Sequence, residues 1–405
     1  MKWLSLVPLL CLAAAVTACT DVAATAPAPA AVVMPAGCGQ DTGPGPVVLA
    51  VAGHADTPKP SMTTAMSSVV TAAATMHDAA PVGVVSIDGA PRLVETGIFS
   101  SDAGNPAAQQ QDRDLFLAAV AASVQGVRAS VAHADYLRGL QVAADAAHAS
   151  CAHGTVVVEG SGLQDTGALN FAHDELLDAD PALVVDFLRQ QHQLPDLHQL
   201  RIVLSGFGDT ASPQAALDQA SRDNVIAIWT AIAIAAGAVS VEVDRSPRAG
   251  AAAAGVPEVS PVAVPAPVVF PSSCSVRNFR LPDTGAVGFE PDTAVLRDPA
   301  AARQVVAQIA AALQGCSGVR ILLTGATSSY GDLSPAGDEL RRALSRSRAE
   351  AVKALLVDAG VAAQRIDTDG NGYHFDGYIV DRDSAGDLLP GPATQNRCVL
   401  VSVSS

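Results

Sequence analysis

The chain has 405 residues, of which 49% are hydrophobic but only 4% are aromatic, and its formal net charge is −16 at pH 7. This length predicts two domains, because a single hydrophobic core rarely serves more than about 250–300 residues. The acidic excess argues against a nucleic-acid partner, since contacts of Lys and Arg with phosphate dominate such binding, and it equally disfavours broad anionic lipid surfaces.

The first segment of the chain has the pattern of an export signal. Lys2 is followed by an apolar stretch over residues 4–16, which is too short to span a bilayer stably. The stretch ends in VTAC at residues 16–19, and this run resembles a lipobox. Residues 1–18 are therefore predicted to be a lipoprotein signal peptide, with Cys19 as the lipid acceptor. The alternative is an ordinary secretory signal that is cleaved at the same bond.

Residues 19–43 are predicted to be a flexible tether. The segment from Thr20 to Pro35 is rich in Ala, Pro and Thr and has no charged residue after Asp21, so it cannot bury a core. In lipoproteins of Gram-negative bacteria, Asp directly after the lipidated Cys retains the protein in the inner membrane, and Thr20 stands there instead. We expect the outer membrane in a Gram-negative host and the outer face of the cytoplasmic membrane in a Gram-positive one.

Residues 44–244 alternate apolar, β-branched runs with longer helical patterns. Strands are predicted at 47–52, 82–87, 155–159, 201–205 and 240–243, and helices at 62–76, 112–148, 181–193 and 221–236. Continuous apolar strands separated by helices are typical of a parallel sheet that is covered on both faces. The sequence therefore predicts a Rossmann-like α/β domain, and residues 245–273, rich in Pro and Ala, are predicted to be a linker that is extended in part.

Residues 274–405 are predicted to form a second α/β domain. Strands are expected at 286–289, 319–324 and 399–403, with helices at 299–313 and 339–359 between them. This βαβαβ order carries GFEPD at 288–292, ILLTG at 321–325, LSRSRA at 344–349 and NR at 396–397. Together these runs resemble the peptidoglycan-binding, OmpA-like domain of the OmpA and Pal C-terminal type, which is an α/β sandwich.

The resemblance implies a ligand and a site. In the family, an Arg at the position of Arg348 and an Asp in the preceding loop clamp the zwitterionic end of a diaminopimelate side chain. Here the family loop GHTD reads GATS at 325–328, so Ser328 stands in place of the carboxylate. The family Asn before LSxxRA is Arg341, and the second Arg of the family NRR is Cys398.

The expected peptidoglycan-binding residues are Arg348, Thr327, Ser328, Asp332 and Asn396, with Asp332 or Asp338 as a displaced carboxylate. Three alternatives stay open: retained binding of diaminopimelate, binding of another envelope glycan or peptide, and a structural module without a ligand. Arg348 would in the last case be an ordinary cation on a helix surface.

The first domain also resembles the Rossmann-like domain that precedes OmpA-like domains in some actinobacterial proteins, through residues 160–163, 194–197 and 228–230. This second resemblance implies a fold and no activity.

Acidic residues follow three predicted strands of the first domain. Asp56, Asp165 and Asp209 each precede a Thr at a Gly-rich strand end, and His54 lies beside the first of them. Ligands of open parallel sheets bind beyond the carboxyl ends of the strands, so these four side chains are predicted to line a ligand crevice. The alternative is that each Asp caps the helix that follows.

Neither a metal nor a cofactor is expected, and no catalytic residue is assigned. Residues 367–372 fit the first half of a calcium loop, but its twelfth position is Tyr378, where calcium needs a Glu.

For the cysteines, export permits disulfides, and the expected pairs are Cys38 with Cys151 and Cys274 with Cys316, each at one edge of a sheet. The alternative pairs Cys316 with Cys398.

Two functional hypotheses follow from these features. In the first, a lipid-anchored envelope protein without enzymatic activity tethers a membrane to peptidoglycan, with the lipid bilayer, peptidoglycan and other envelope proteins as its partners. In the second, the first domain binds a small ligand or a protein, and the OmpA-like domain only places it in the envelope.

Overall fold

The structure is a computed structural model that describes residues 32–264, 278–314, 316 and 318–404. The predicted signal peptide, Cys19, Cys274 and residues 265–273 of the predicted linker lie outside the described residues. Within the described ranges, no helix is long and apolar enough to cross a membrane. The described residues belong to one packed unit that contains two β-sheets.

The first sheet has six strands, which are β1 Val47–Ala52, β2 Val82–Ile87, β3 Arg92–Gly97, β4 Gly154–Glu159, β5 Leu200–Ser205 and β6 Ser240–Asp244. Their order is β3-β2-β1-β4-β5-β6, and only β3 runs antiparallel to its neighbour. The chain thus proceeds outward from β1 in both directions, as in doubly wound folds. β3 was not predicted, because this edge strand is polar and half-exposed rather than continuously apolar.

Helices cover both faces of this sheet. They are α1 Thr64–Ala73, α2 Pro106–Gly126, α3 Tyr136–Ser150, α4 Pro181–Gln190 and α5 Gln219–Ala235. Alternate residues of β1 point to opposite faces: Val47 and Leu49 pack with α1 and α2, whereas Val48 and Ala50 pack with α3, α4 and α5. Every residue of β1 is buried, which explains its unbroken apolar sequence.

The single helix predicted over 112–148 is wrong, since two helices occupy this region. The chain leaves α2 at Val127 in an extended conformation. The buried carboxylate of Asp88, just after β2, accepts hydrogen bonds from the Ser130 amide at 2.9 Å and hydroxyl at 3.0 Å. The break is therefore stabilised by a residue that is distant in sequence.

The second sheet has four strands, which are β7 Asn278–Pro282, β8 Arg320–Ala326, β9 Ile366–Gly370 and β10 Cys398–Ser404. The order is β7-β10-β8-β9, with β10 antiparallel to β7 and β8, and β8 parallel to β9. Its helices are α6 Pro299–Gln314, α7 Pro335–Asp358 and the short α8 Pro390–Asn396. Val306 of α6 and Val352 of α7 share a core with Ile321 and Val401 of the sheet, which makes a two-layer α/β sandwich.

Two strands of the second sheet differ from expectation. The strand predicted at 286–289 is wrong, because Phe289 forms only an isolated bridge with Leu296, and the first strand is instead β7. β9 was not predicted, since only Ile366 and Gly370 of its five residues are buried.

Residues 245–264, in the predicted linker, pack along the carboxyl edge of the first sheet. The Arg248 guanidinium contacts the Glu159 carboxylate, and the Ser260 amide donates to Asp165 at 2.8 Å. Val262 is buried in the core beneath α3, α4 and α5. We refer to residues 245–264 as the strap.

The two α/β parts of the described chain contact each other at α4 and α8. The Asp180 amide donates to Thr394 Oγ1 at 2.9 Å, and Gln191 Nε2 donates to Asp387 Oδ2 at 2.8 Å. Gly391 of α8 lies very near the loop that comes before α4. A Cβ on Gly391 would stand 1.9 Å from the carbonyl oxygen of Asp174 in that loop. Only glycine permits this close approach.

Candidate functional site

A pocket of about 210 Å³ lies where α7, the loop after β8 and the start of α4 meet. Four arginines line it, and these are Arg297, Arg341, Arg348 and Arg397. Four aspartates line it as well, and these are Asp180, Asp186, Asp283 and Asp292. The pocket is therefore a charged site, and two of its acids come from the first α/β part of the chain.

The position of α7 places Arg348 in this pocket. Ser334 caps the helix by accepting a hydrogen bond from the Gly337 amide, and Val352 and Leu356 bury its inner face. β8 and α7 approach closely, since a Cβ on Gly325 would stand 1.8 Å from the carbonyl oxygen of Ser345. This contact brings the middle of α7 next to the end of β8.

Arg348 is 5% exposed and is held through part of its guanidinium. Its Nε donates to the carbonyl oxygen of Thr293 at 2.9 Å, and its Cζ lies 5.1 Å from the centre of the Phe289 ring. No hydrogen-bond acceptor within the described ranges contacts its two Nη atoms. Burial lowers the pKa of Arg348, and the nearby Asp283 and Asp292 carboxylates oppose this effect. A guanidinium stays charged in proteins, so the free Nη pair suits a carboxylate.

The loop after β8 supplies two hydroxyl groups to the pocket. Thr327 and Ser328 both line it and are buried. The Thr327 amide donates to the carbonyl oxygen of Gly372 at 2.9 Å, and its Oγ1 is buried without a partner in the part of the chain that the structure describes. Ser328 Oγ accepts from the Tyr330 amide at 3.4 Å. The loop thus offers polar groups but no charge.

The two acids considered as a displaced carboxylate lie elsewhere. Asp332 accepts hydrogen bonds from the amide and hydroxyl of Ser334, which lower its pKa, and it is fully exposed. Asp338 pairs with Arg342 at 3.0 Å and with His374 at 3.3 Å. Neither is among the described residues that line the pocket.

Asn396 is fully buried and also lies outside the pocket lining. Its Nδ2 donates to the carbonyl oxygen of Ile379 at 2.7 Å and to Asp381 at 3.1 Å. Asp381 accepts in addition from the Ser329 amide at 2.9 Å and from the Tyr378 hydroxyl at 2.5 Å. Burial and the Asp381 carboxylate raise the pKa of Tyr378 to about 12. Asp381 therefore fixes the loop after β8, a role that no sequence motif indicated.

Arg341 replaces the family Asn, and it is 8% exposed. Its Nη1 donates to the carbonyl oxygens of Tyr330 at 3.2 Å and Asp332 at 2.6 Å, and its Cζ lies 4.9 Å from the centre of the Tyr373 ring. Its Nε and Nη2 are buried with no acceptor in the described residues. The sequence showed this residue as a departure from the family but not as a part of the pocket.

The first α/β part closes one side of the pocket. Asp180 caps α4 by accepting from the Ala182 amide at 2.9 Å, and its other carboxylate oxygen lies 3.0 Å from Arg397 Nη2. Asp283 is buried, accepts from the Phe289 amide at 2.9 Å and lies 3.8 Å from both Arg297 Nη2 and Arg397 Nε. These ion pairs hold the rim of the pocket.

The four residues of the predicted crevice are all buried, but their side chains make hydrogen bonds and ion pairs with different segments of the chain. His54 Nδ1 lies 2.5 Å from Asp56 Oδ1. Asp165 accepts from the Ala134 amide at 2.7 Å and from the strap, and Asp209 pairs with Arg222 at 2.7 Å and accepts from the Arg248 amide at 2.8 Å. Among the described residues, no hydrogen bond or ion pair joins Asp165 or Asp209 to His54 or Asp56.

The cysteines form at least one of the expected disulfides. Cys38 is bonded to Cys151, and the His153 ring lies beside Cys151. These three residues are a cluster of metal-ligand types, but both sulfurs are consumed in the disulfide. Cys316 is also disulfide-bonded. The alternative pair of Cys316 with Cys398 is wrong, because Cys398 is a buried free thiol, and burial raises its pKa to about 11.

Comparison with known proteins identifies the second part of the chain. The chain is similar to the periplasmic domain of Helicobacter pylori MotB, at 19% identity and a TM-score of 0.25, over 32% of this chain and 75% of that one. It is also similar to the peptidoglycan-associated lipoprotein of Burkholderia pseudomallei, at 21% identity and a TM-score of 0.22, over 32% of this chain and 92% of that one. No curated protein matches the chain. Residues 288–378 match the OmpA family model, so this part of the chain is an OmpA-family domain.

Proposed function

We propose that this protein is a lipid-anchored envelope protein that binds peptidoglycan non-covalently through the pocket around Arg348. The observation that carries the proposal is the state of Arg348, which is buried in the pocket wall with both Nη atoms free of acceptors in the described residues. The resemblance of residues 274–405 to peptidoglycan-binding, OmpA-like domains supports the proposal, and residues 288–378 match the OmpA family model.

The chemistry of a wall peptide suits this pocket. A carboxylate of the stem peptide, such as that of diaminopimelate, would accept paired hydrogen bonds from the two Nη atoms of Arg348. The hydroxyl of Thr327, buried without a partner in the described residues, lies in the same wall and can donate to the same ligand. Binding of this kind needs no catalytic group, so we assign no enzymatic activity.

The lipid at Cys19 would hold the other end of the chain at a membrane. Residues 19–43 would then link the anchor to the first α/β part, and the OmpA-family domain would reach the wall. This arrangement makes the protein a tether between bilayer and peptidoglycan. A ligand crevice at the carboxyl edge of the first sheet has less support, because the strap packs along this edge.

The test is co-sedimentation of the full mature chain with purified peptidoglycan. We expect the wild-type chain to pellet with the sacculi and Arg348→Ala to lose at least about tenfold in affinity, since a charge-assisted hydrogen bond contributes about 1.5–3 kcal/mol. Arg346→Ala is the matched control, because Arg346 lies on the same helix with its side chain 56% exposed.

Two results would reject this function. If the wild-type chain stays in the supernatant at low salt, the protein does not bind peptidoglycan. If Arg348→Ala pellets as well as Arg346→Ala does, the Arg348 pocket is not the contact.

A further inference from the structure

The pocket differs from the family pattern in charge at two positions. Ser328 stands where the family has the Asp that pairs with the ammonium group of the ligand, and Arg341 adds a guanidinium where the family has Asn. Both residues line the same pocket as Arg348. The two changes act in one direction, since each makes the pocket more favourable for negative charge.

Arg341 and Arg348 differ from the other two arginines of the pocket. Arg297 and Arg397 lie within ion-pair distance of Asp283, and Arg397 also pairs with Asp180. Within the described residues, no carboxylate lies within 4.0 Å of the guanidinium nitrogens of Arg341 or Arg348. Asp283 and Asp292 interact with Arg348 only from a longer distance.

Both of these arginines are more than nine-tenths buried, at 8% exposure for Arg341 and 5% for Arg348. Arg341 keeps Nε and Nη2 buried without an acceptor in the described residues. A buried donor without a partner carries a desolvation cost, which is larger when the donor is charged. A ligand that supplies oxygen acceptors would remove this cost.

Most of the acids of the pocket are already engaged. Asp283 and Asp180 are paired with arginines of the pocket, and Asp186 pairs with Arg189 at 2.6 Å. Asp292 is exposed and has no ion pair among the described residues. The pocket therefore has two buried cations without a carboxylate partner but no buried acid left for an ammonium group.

We propose that this pocket binds a dicarboxylate, with one acid group on Arg348 and the second on Arg341, and that it does not require an ammonium group on the ligand. The inference rests on the proposed function in that the source of the dicarboxylate would be the peptide of the cell wall. The proposed binding differs from that of the family, in which an Arg pairs with the carboxylate of a zwitterion and an Asp pairs with its ammonium group.

The experiment is an NMR titration of the full mature chain with four small probes, which are meso-diaminopimelate, pimelate, glutarate and 1,5-diaminopentane. Pimelate has the two carboxylates of meso-diaminopimelate without its amines, and 1,5-diaminopentane has the amines without the carboxylates. We expect pimelate, or its shorter homologue glutarate, to bind within about threefold of meso-diaminopimelate, and the diamine not to bind.

Variants connect the binding to the two arginines. Arg341→Asn restores the family residue and should weaken pimelate at least about tenfold, as should Arg348→Ala. Arg342→Asn is the matched control, because Arg342 is the next residue on α7 but lies outside the described pocket lining and pairs with Asp338. Ser328→Asp should weaken pimelate and favour meso-diaminopimelate, since it restores the missing acid.

The outcomes separate this inference from the proposed function. If pimelate and glutarate both bind at least about tenfold more weakly than meso-diaminopimelate, the dicarboxylate inference is wrong, and Asp292 becomes the first candidate for the ammonium group. Equal binding of pimelate by Arg341→Asn and Arg342→Asn would also overturn it. If pimelate binds but sacculi do not, the peptidoglycan function fails while the dicarboxylate site stands.

Discussion

Two buried guanidinium groups give the pocket its chemistry, and they were not equally visible in the sequence. Arg348 was predicted because it belongs to the LSxxRA run, which also sets its place on α7. Arg341 was noticed only as a departure from the family pattern. Asp381 was not noticed, because its four hydrogen-bond donors come from residues whose proximity depends on the loops of the folded chain.

Another buried charged group lies outside the lining of the pocket, at the end of β4. Glu159 is fully buried, and its carboxylate contacts Arg248 of the strap. Burial raises the pKa of Glu159 from 4.5 to about 7, although the Arg248 charge opposes the shift. The desolvation of this carboxylate therefore outweighs its ion pair.

This raised pKa makes stability depend on pH. Between pH 4.5 and about 7, the unfolded chain has lost the proton of Glu159 while the folded chain keeps it, so the Glu159 contribution to the free energy of unfolding falls as pH rises. The decrease is about 3 kcal/mol across this window, at 1.36 kcal/mol per pKa unit. Urea denaturation at several pH values measures it.

The comparison with Glu159→Gln isolates this contribution, because the amide does not titrate. Glu242→Gln, at an exposed position of β6, is the control and should follow the wild-type pH dependence. Parallel curves for wild type and Glu159→Gln would show that Glu159 does not titrate differently in the folded chain.

Strands were predicted best where nearly all of their residues are buried. Most residues of β1, β2, β4 and β5 are apolar and all of them except Arg201 are buried, and the predicted positions of these strands agree with the structure to within one residue. β3 and β9 carry charged residues, and their pairing with β2 and β8 defines them. A strand that forms mainly because it pairs with a neighbouring strand lacks a recognisable apolar pattern in its own sequence.

The Cys38–Cys151 disulfide joins the segment before β1 to the segment before β4, across 113 residues. We expect Cys38→Ser/Cys151→Ser to lower the free energy of unfolding by about 2–5 kcal/mol, because the bond restricts a long loop in the unfolded chain. Urea denaturation without reductant measures the change. Cys398→Ala, which removes a buried free thiol, should cost less, and a double variant as stable as wild type would contradict the role of the bond.

The two α/β parts meet at the pocket, so the packing of the whole molecule bears on ligand binding. Asp180 connects them, since it caps α4 and pairs with Arg397 of the second α/β part. The OmpA-family domain by itself would lack the wall that α4 provides. Binding should therefore respond to the contact between α4 and α8.

Gly391→Ala tests this dependence. The added Cβ would collide with the carbonyl oxygen of Asp174, so we expect α8 to shift and the free energy of unfolding to fall by about 1–3 kcal/mol. Limited proteolysis should then cut faster between the two parts, and peptidoglycan should bind more weakly. Gly104→Ala is the control, because no atom of the described residues, apart from its chain neighbours, lies within 4 Å of its added Cβ. Equal proteolysis of both variants would argue against a tight contact.

Local patterns were enough to determine the two α/β parts, the OmpA-family domain and the position of Arg348 on a helix, because these depend on apolar periodicity and on short motifs. The export signal and Cys19 remain predictions of the same kind. Only the tertiary structure showed that α4 closes the pocket, that the strap packs along the first sheet and that Arg341 has no carboxylate partner in the described residues. Each of these depends on contacts between distant segments, which arise from packing and leave no periodic pattern in the chain.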